Sequence, residues 1–163
     1  MSKHTAVVKW ERDNSLFNDG KYSRVHHWTF DGGAVVSASS SPHIVKVPYS
    51  DPTCIDPEEA FIASLSSCHM LFFLGFASKA GYLVDSYTDT SEGHMANNEV
   101  GKVAVTSVTL RPNVIFSGSP HCFLCDFIHS LVIGFTGYFV KQGFHIFNTE
   151  GKLFQFLSLL FNQ

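Results

Sequence analysis

Of the four cysteines in this chain, Cys54, Cys68, Cys122 and Cys125, the one whose surroundings raise most questions is Cys68. It lies in "DPEEAFIASLSSCHMLFF", residues 56–73, ten residues after Glu58 and inside an apolar run. As a thiolate it would be a nucleophile, and it would be open to oxidation. The bland alternative is a cysteine acting as a small hydrophobe on a buried helix, its commonest use. Reactivity is favoured by Ser64, Ser66 and Ser67, whose small side chains leave space near the sulfur. Burial raises a thiol pKa, and a mid-helix position gains little from the helix N-terminus, so a cation has to be brought to it from elsewhere. Ahead of the helix the arginines are Arg12 and Arg24, and Arg24 falls on the better strand pattern.

The other clusters have weaker chemistry. "HCFLC", residues 121–125, with His129 nearby, offers four possible ligands, but zinc sites draw on two separated pairs and the second pair is missing. Haem attachment needs a histidine after the second cysteine, where Asp126 stands. A thioredoxin-like use would need a βαβ context, which is not evident. His69 points about 100° away from Cys68 on a helix, which favours packing over acid–base work. His26 and His27 alternate on a strand, one inward and one outward.

The elements that must position Cys68 are legible from turn and capping signals. Asp56 suits the N-cap, Pro57 the first helical position, and Glu59 completes an Asp-x-x-Glu capping box. Gly81, after Lys79, closes a helix of roughly 24 residues, about 36 Å long. Its middle is nearly uncharged all round, predicting burial on most sides and a sheet wrapped about it. "HTAVVKWE" reads as a strand, and "KYSRVHHWTF" with "AVVSASSS" across "DGG" as a hairpin. "YLVDSYTD" and "KVAVTSVTL" are further strands, separated by "SEGHMANNEVG" read as turn, and Pro112 places "RPNVIF" at an edge or bulge.

Composition sets the bounds. A chain of 163 residues reads as one domain, 1–163, able to bury roughly two-thirds of its unfolded surface. It is 45% hydrophobic and 15% charged, with a net charge of -3, so no basic surface recommends nucleic acid. "MSKHTAVVKWERDN" has no signal-peptide core, which predicts a cytoplasmic chain with reduced thiols. No membrane span is expected, since the apolar stretch Phe127 to Val140 is too short.

Residues 20–118 resemble the OsmC family, the osmotically inducible and organic hydroperoxide resistance proteins. The resemblance runs through "YSRVHHWTFDGG", "KAGYLVDSYTDTSEGHM" and "GKVAVTSVTLRPNVIFSG", and is most specific in the Asp-Pro-Glu-Glu helix start and the Ser-Ser-Cys-His within the helix. It implies an α+β fold, long central helices wrapped by sheet in an intertwined homodimer, and sites at the dimer interface. It implies a thiol peroxidase that reduces organic hydroperoxides with a small or protein-bound dithiol as reductant, using no metal and no organic cofactor. On that resemblance Cys68 is the peroxidatic cysteine and Glu58 the catalytic glutamate, while Arg24 is the choice for the arginine that holds the thiolate. Ten helical residues separate Glu58 from Cys68 by about 15 Å along the axis, more than one arginine spans. Either the helix start bends or the groups meet across the dimer. Charge placement at a helix N-terminus would account for Glu58 without catalysis.

The resemblance stops near Ser117. Only 4 of the residues from there onward are charged, Asp126, Lys141, Glu150 and Lys152, whereas 9 of the 16 phenylalanines follow it. The resemblance implies a second helix, a resolving cysteine and a closing strand here, yet "GYFV" stands near the place of that cysteine, with Cys122 and Cys125 too early. Residues 119–163 therefore read as a divergent tail or as an altered frame, splice variant or fused fragment. The alternative to a peroxidase is a silent OsmC-like scaffold.

Overall fold

The computed structural model describes residues 3–117 and 146–147. Its order is β1 (Ala6–Lys9), β2 (His26–Phe30), β3 (Val35–Ala38), α1 (Pro57–Lys79), β4 (Leu83–Asp89), β5 (Glu92–Asn97), β6 (Val103–Thr109), β7 (Pro112–Ser117) and β8 (Ile146–Phe147). Among the described residues, one long helix with small, mainly antiparallel sheets is the α+β class expected. Contacts divide the chain into two compact units, Met1–Phe61 and Ile62–Gln163.

In the first unit β2 is the centre of a three-stranded antiparallel sheet, with β1 and β3 on its two edges. Val8 and Val36 both face Trp28 across the ladders. The predicted "DGG" turn joins β2 to β3: Gly33 N–H donates to Phe30 O at 2.9 Å, with Gly33 at φ +84°, a conformation that glycine adopts without strain. The strand is shorter than predicted. It starts at His26, because Arg24 N–H is turned to Tyr49 O at 2.9 Å and lies outside the ladder. After β3 the chain folds back, Ser39 N–H donating to Ile55 O and Ile55 N–H to Ser37 O, with Ala38 and Ser39 fully buried. That return delivers the chain to the start of α1.

Both ends of α1 close as the sequence predicts. Glu59 N–H donates to Asp56 Oδ1 at 2.7 Å and Asp56 N–H to Glu59 Oε2 at 3.1 Å, a reciprocal capping box. At the other end Tyr82 N–H reaches Ala77 O and Gly81 N–H reaches Ser78 O, with Gly81 at φ +81°, which is a Schellman closure. By length and composition α1 is also apolar enough to cross a membrane, a property the sequence reading assigned to no segment. The expected burial on most sides is not found. Only Leu65, His69, Phe73 and Ala77 are buried, a single stripe at four-residue spacing, while Leu71, Phe72 and Phe76 stay exposed at 62%, 51% and 42%.

In the second unit β4 pairs with β7, and β6 pairs antiparallel with β5 and parallel with β8. Pro112 opens β7, whose strand partner among the described residues is β4, in keeping with the predicted edge. The "SEGHMANNEVG" stretch is not turn throughout, since β5 occupies Glu92–Asn97 and the turn is confined to the residues that follow it. Glu92, Gly93, Ala96 and Asn97 are weak strand formers, and pairing with β6 overrides that preference. Phe73 and Ala77 form the core against Leu74, Tyr82, Val84, Tyr87, Val114 and Phe116. The divergent tail, apart from β8, lies outside the described residues.

Candidate functional site

Cys68 is a free, exposed thiol on α1. At about 100° per residue it lies on the side of the helix turned away from the buried stripe, near Ser64, Leu71 and Phe72. Among the described residues it is therefore not packed as a small hydrophobe. Ser64 and Ser67 are exposed as well, which leaves room near the sulfur. Ser66 is not beside the sulfur: it lies about 160° round the helix from Cys68, and its hydroxyl donates to Asp89 Oδ2 at 2.6 Å.

The opposite side of α1 meets the sheet residue by residue. Ile62 lies against Gly93, Ser66 against Asp89, His69 against Tyr87, and Phe73 against Tyr87 and Phe116. His69 Nδ1 and the Tyr87 hydroxyl are hydrogen-bonded at 2.6 Å. Burial pushes the His69 pKa down, opposed by the charge of Asp89, and burial followed by the same carboxylate pushes the Tyr87 pKa up. Both rings therefore sit neutral at physiological pH. Asp89 is tied down from its other oxygen, Oδ1 accepting Arg111 N–H at 2.6 Å. The Arg111 guanidinium in turn donates to Thr90 O and forms an ion pair with Glu92 at 2.7 Å.

This network was missed in the sequence, although its signal is present. His69 shares its spacing with Leu65, Phe73 and Ala77, which marks it for the interior, and Tyr87 and Asp89 are two apart on one strand face. What the sequence does not announce is that helix and strand pair these polar groups.

Arg24 has its own setting in the first unit. Its Nη1 donates to Gly20 O at 2.8 Å and to Tyr22 O, and the guanidinium carbon lies 3.7 Å from the centre of the Tyr22 ring. Trp10, Phe17 and Tyr22 pack as an aromatic cluster beneath it, with Phe17 and Tyr22 stacked at 4.6 Å. Glu58 is half-buried in the first turn of α1, outside the capping box made by its neighbours. The helix is continuous in sequence from Pro57 through Cys68. Cys54 is half-buried ahead of the cap, its thiol pKa raised by burial and then by Asp51, with a hydrogen bond from Thr53 opposing. Among the described residues no three of His, Cys, Asp and Glu come together as a metal centre requires. His121, Cys122, Cys125 and His129, and the expected position of a resolving cysteine, lie outside the described residues.

Comparison with known proteins gives the arrangement its context. No family model and no curated protein matches the chain. Among solved structures, an OsmC-like protein of unknown function from Vibrio cholerae is 46% identical, with a TM-score of 0.83, over 91% of this chain and 98% of that one. An organic hydroperoxide resistance protein from Elizabethkingia anophelis shares the fold at 17% identity and a TM-score of 0.62, over 91% and 93%. A further organic hydroperoxide resistance protein, from Legionella pneumophila, aligns at 16% identity and a TM-score of 0.51, over 85% and 86%. With a long capped helix bearing an exposed thiol, and with 46% identity along nearly the whole of the Vibrio cholerae protein, the chain belongs to the OsmC-like family.

Proposed function

We propose that this protein is a thiol-dependent peroxidase that reduces organic hydroperoxides through Cys68. The observation that carries the reading is the exposed Cys68 thiol on an apolar face of α1, beside Leu71 and Phe72. Apolar surface next to a nucleophile favours a substrate with a hydrocarbon body over hydrogen peroxide. The Cys68 thiolate attacks one peroxide oxygen and the O–O bond breaks. Sulfur is oxidised to a sulfenic acid, and the alkoxide leaves and takes a proton to become an alcohol. A dithiol then reduces the sulfenic acid, releasing water and a disulfide. Arg24 is proposed to hold the thiolate, since arginine keeps its charge where water is excluded, and Glu58 to orient that guanidinium. No metal or organic cofactor enters these steps. The active form is proposed to be a homodimer acting in the cytoplasm, with the exposed face of α1 covered by a second copy.

A silent scaffold is the competing reading, and one observation favours it: the Nη1 of Arg24 is already bonded to the Gly20 and Tyr22 carbonyls. Consumption of cumene hydroperoxide by the purified chain with dithiothreitol decides between them. Turnover that Cys68→Ser abolishes supports the peroxidase. Absence of turnover in the unmodified chain, or turnover indifferent to Cys68→Ser, overturns it.

A further inference from the structure

The rotation of α1 about its own axis decides where the Cys68 sulfur points. Apolar contacts of α1 with the strands, Ile62 on Gly93 and Phe73 on Tyr87 and Phe116, fix separation better than rotation because they are non-directional. Directional contacts bracket the thiol in sequence: Ser66 to Asp89, two residues before it, and His69 to Tyr87, one residue after it. Both are 2.6 Å long, and both acceptor–donor partners stand two apart on the same face of β4. Asp89 is itself fixed through Arg111 N–H. Hydrogen bonds weaken steeply once misaligned, so the pair resists a twist that apolar packing would permit. A sulfur lies about 5 Å from a helix axis, so a twist of about 20° moves it by roughly 1.7 Å, whereas productive attack tolerates displacements of about 0.5 Å.

We propose that Ser66, His69, Tyr87 and Asp89 form a rotational clamp between α1 and β4, and that they are positioning residues for the Cys68 thiol. The inference rests on the peroxidase reading above and deepens it. The four act by holding the helical turn that carries the sulfur, on the side opposite to the one substrate would approach.

The test uses the full chain with Tyr87→Phe, Ser66→Ala and the two combined, with thermal melting to confirm folding. In the combined variant kcat for cumene hydroperoxide should fall at least tenfold with KM within twofold. Alkylation of Cys68 by iodoacetamide, a small reagent that needs no fixed approach, should stay within twofold. Ser66→Thr, which keeps the hydroxyl, should restore kcat in an otherwise unchanged chain. A nitroxide on Cys68, with Cys54, Cys122 and Cys125 replaced by serine, should gain a mobile spectral component when the clamp is removed. Unchanged kcat in a folded combined variant overturns the proposal, as does a kcat loss matched by equal loss of alkylation. Should the combined variant not fold, Tyr87→Phe alone carries the same comparisons. Should the unmodified chain not reduce hydroperoxide, the functional reading fails on its own; the clamp then stands if the nitroxide spectrum changes and falls if it does not.

Discussion

His69 and Cys68 are adjacent in sequence and opposite in setting, one ring buried on Tyr87, one thiol exposed. Burial holds the His69 pKa below 6.5, so the fold favours the neutral ring. On acidification the unfolded chain takes up this proton first, at about pH 6.5. The His69 contribution is therefore complete above that pH, declines as pH falls below it, and stops declining once pH is below the lowered folded value. Thermal melting at about pH 7.5 and 5.5 should show a drop in Tm, and His69→Gln should remove part of it. An equal drop in that variant would mean that other groups are responsible. Among the thiols, Cys54→Ser should leave most peroxidase activity, since Cys54 sits in the loop before the cap with a raised pKa. Oxidation without reductant should add oxygen to Cys68 instead of forming a disulfide with Cys122 or Cys125, whose sequence positions do not suit resolution. Peptide mapping by mass distinguishes the two, and a major Cys68–Cys122 or Cys68–Cys125 bond would refute the expectation. At this scale the sequence could mark Cys68 by its small and apolar neighbours. It could not mark Ser66 as a partner of Asp89, because that depends on how helix and strand are set against each other.

Elements are held by contacts of unequal legibility. The ends of α1 were readable because capping is local: Asp56, Glu59 and Gly81 act within a few residues of themselves. Asp56→Ala should cost about 1 kcal/mol in urea unfolding, from loss of the bond to Glu59 N–H. The strand β5 was unreadable for the converse reason, since its weak strand formers are held by β6 and their own propensity gives no sign of it. Gly93 shows what such a residue is for. A Cβ there would stand 2.5 Å from Ile62 Cδ1 and 2.8 Å from Ile62 Cγ1, so its absence lets α1 approach the sheet. Gly93→Ala should destabilise by about 1–3 kcal/mol through overpacking. Combining it with Ile62→Ala should cost less than the two single changes added together, because the smaller side chain admits the new methyl. Strict additivity in the unfolding free energies would show that the close approach is not the reason for glycine.

At the scale of the whole molecule the unmet apolar surface sets the argument. Sequence predicted a helix covered on most sides, and within one chain α1 has cover along a single stripe, with Leu71, Phe72 and Phe76 exposed. In β1, Val7 and Val8 point to opposite faces of the sheet, yet both are more than 60% exposed. On α1 itself Phe72 and Phe76 stack at 6.4 Å, and an exposed apolar face of this kind marks an interaction site in an ordinary globular chain. The burial on most sides that the uncharged periphery of the helix predicted is not met among the described residues, and sequence alone cannot say which chain would supply the cover. A second copy is the proposed source. It would also allow Glu58, about 15 Å along the helix axis from the Cys68 of its own chain, to serve another site. Light scattering should give about twice the chain mass of 18.1 kDa. Phe72→Glu places a charge in the surface to be covered, and should lower the measured mass toward that of one chain and reduce peroxidase turnover at least tenfold, charge burial without a partner being unfavourable. A wild-type chain that scatters as a single copy while reducing hydroperoxide at full rate would refute both the dimer and a site completed by it. Loss of turnover with the dimer intact would instead place Phe72 beside the substrate, as expected for an apolar residue one helical turn from Cys68.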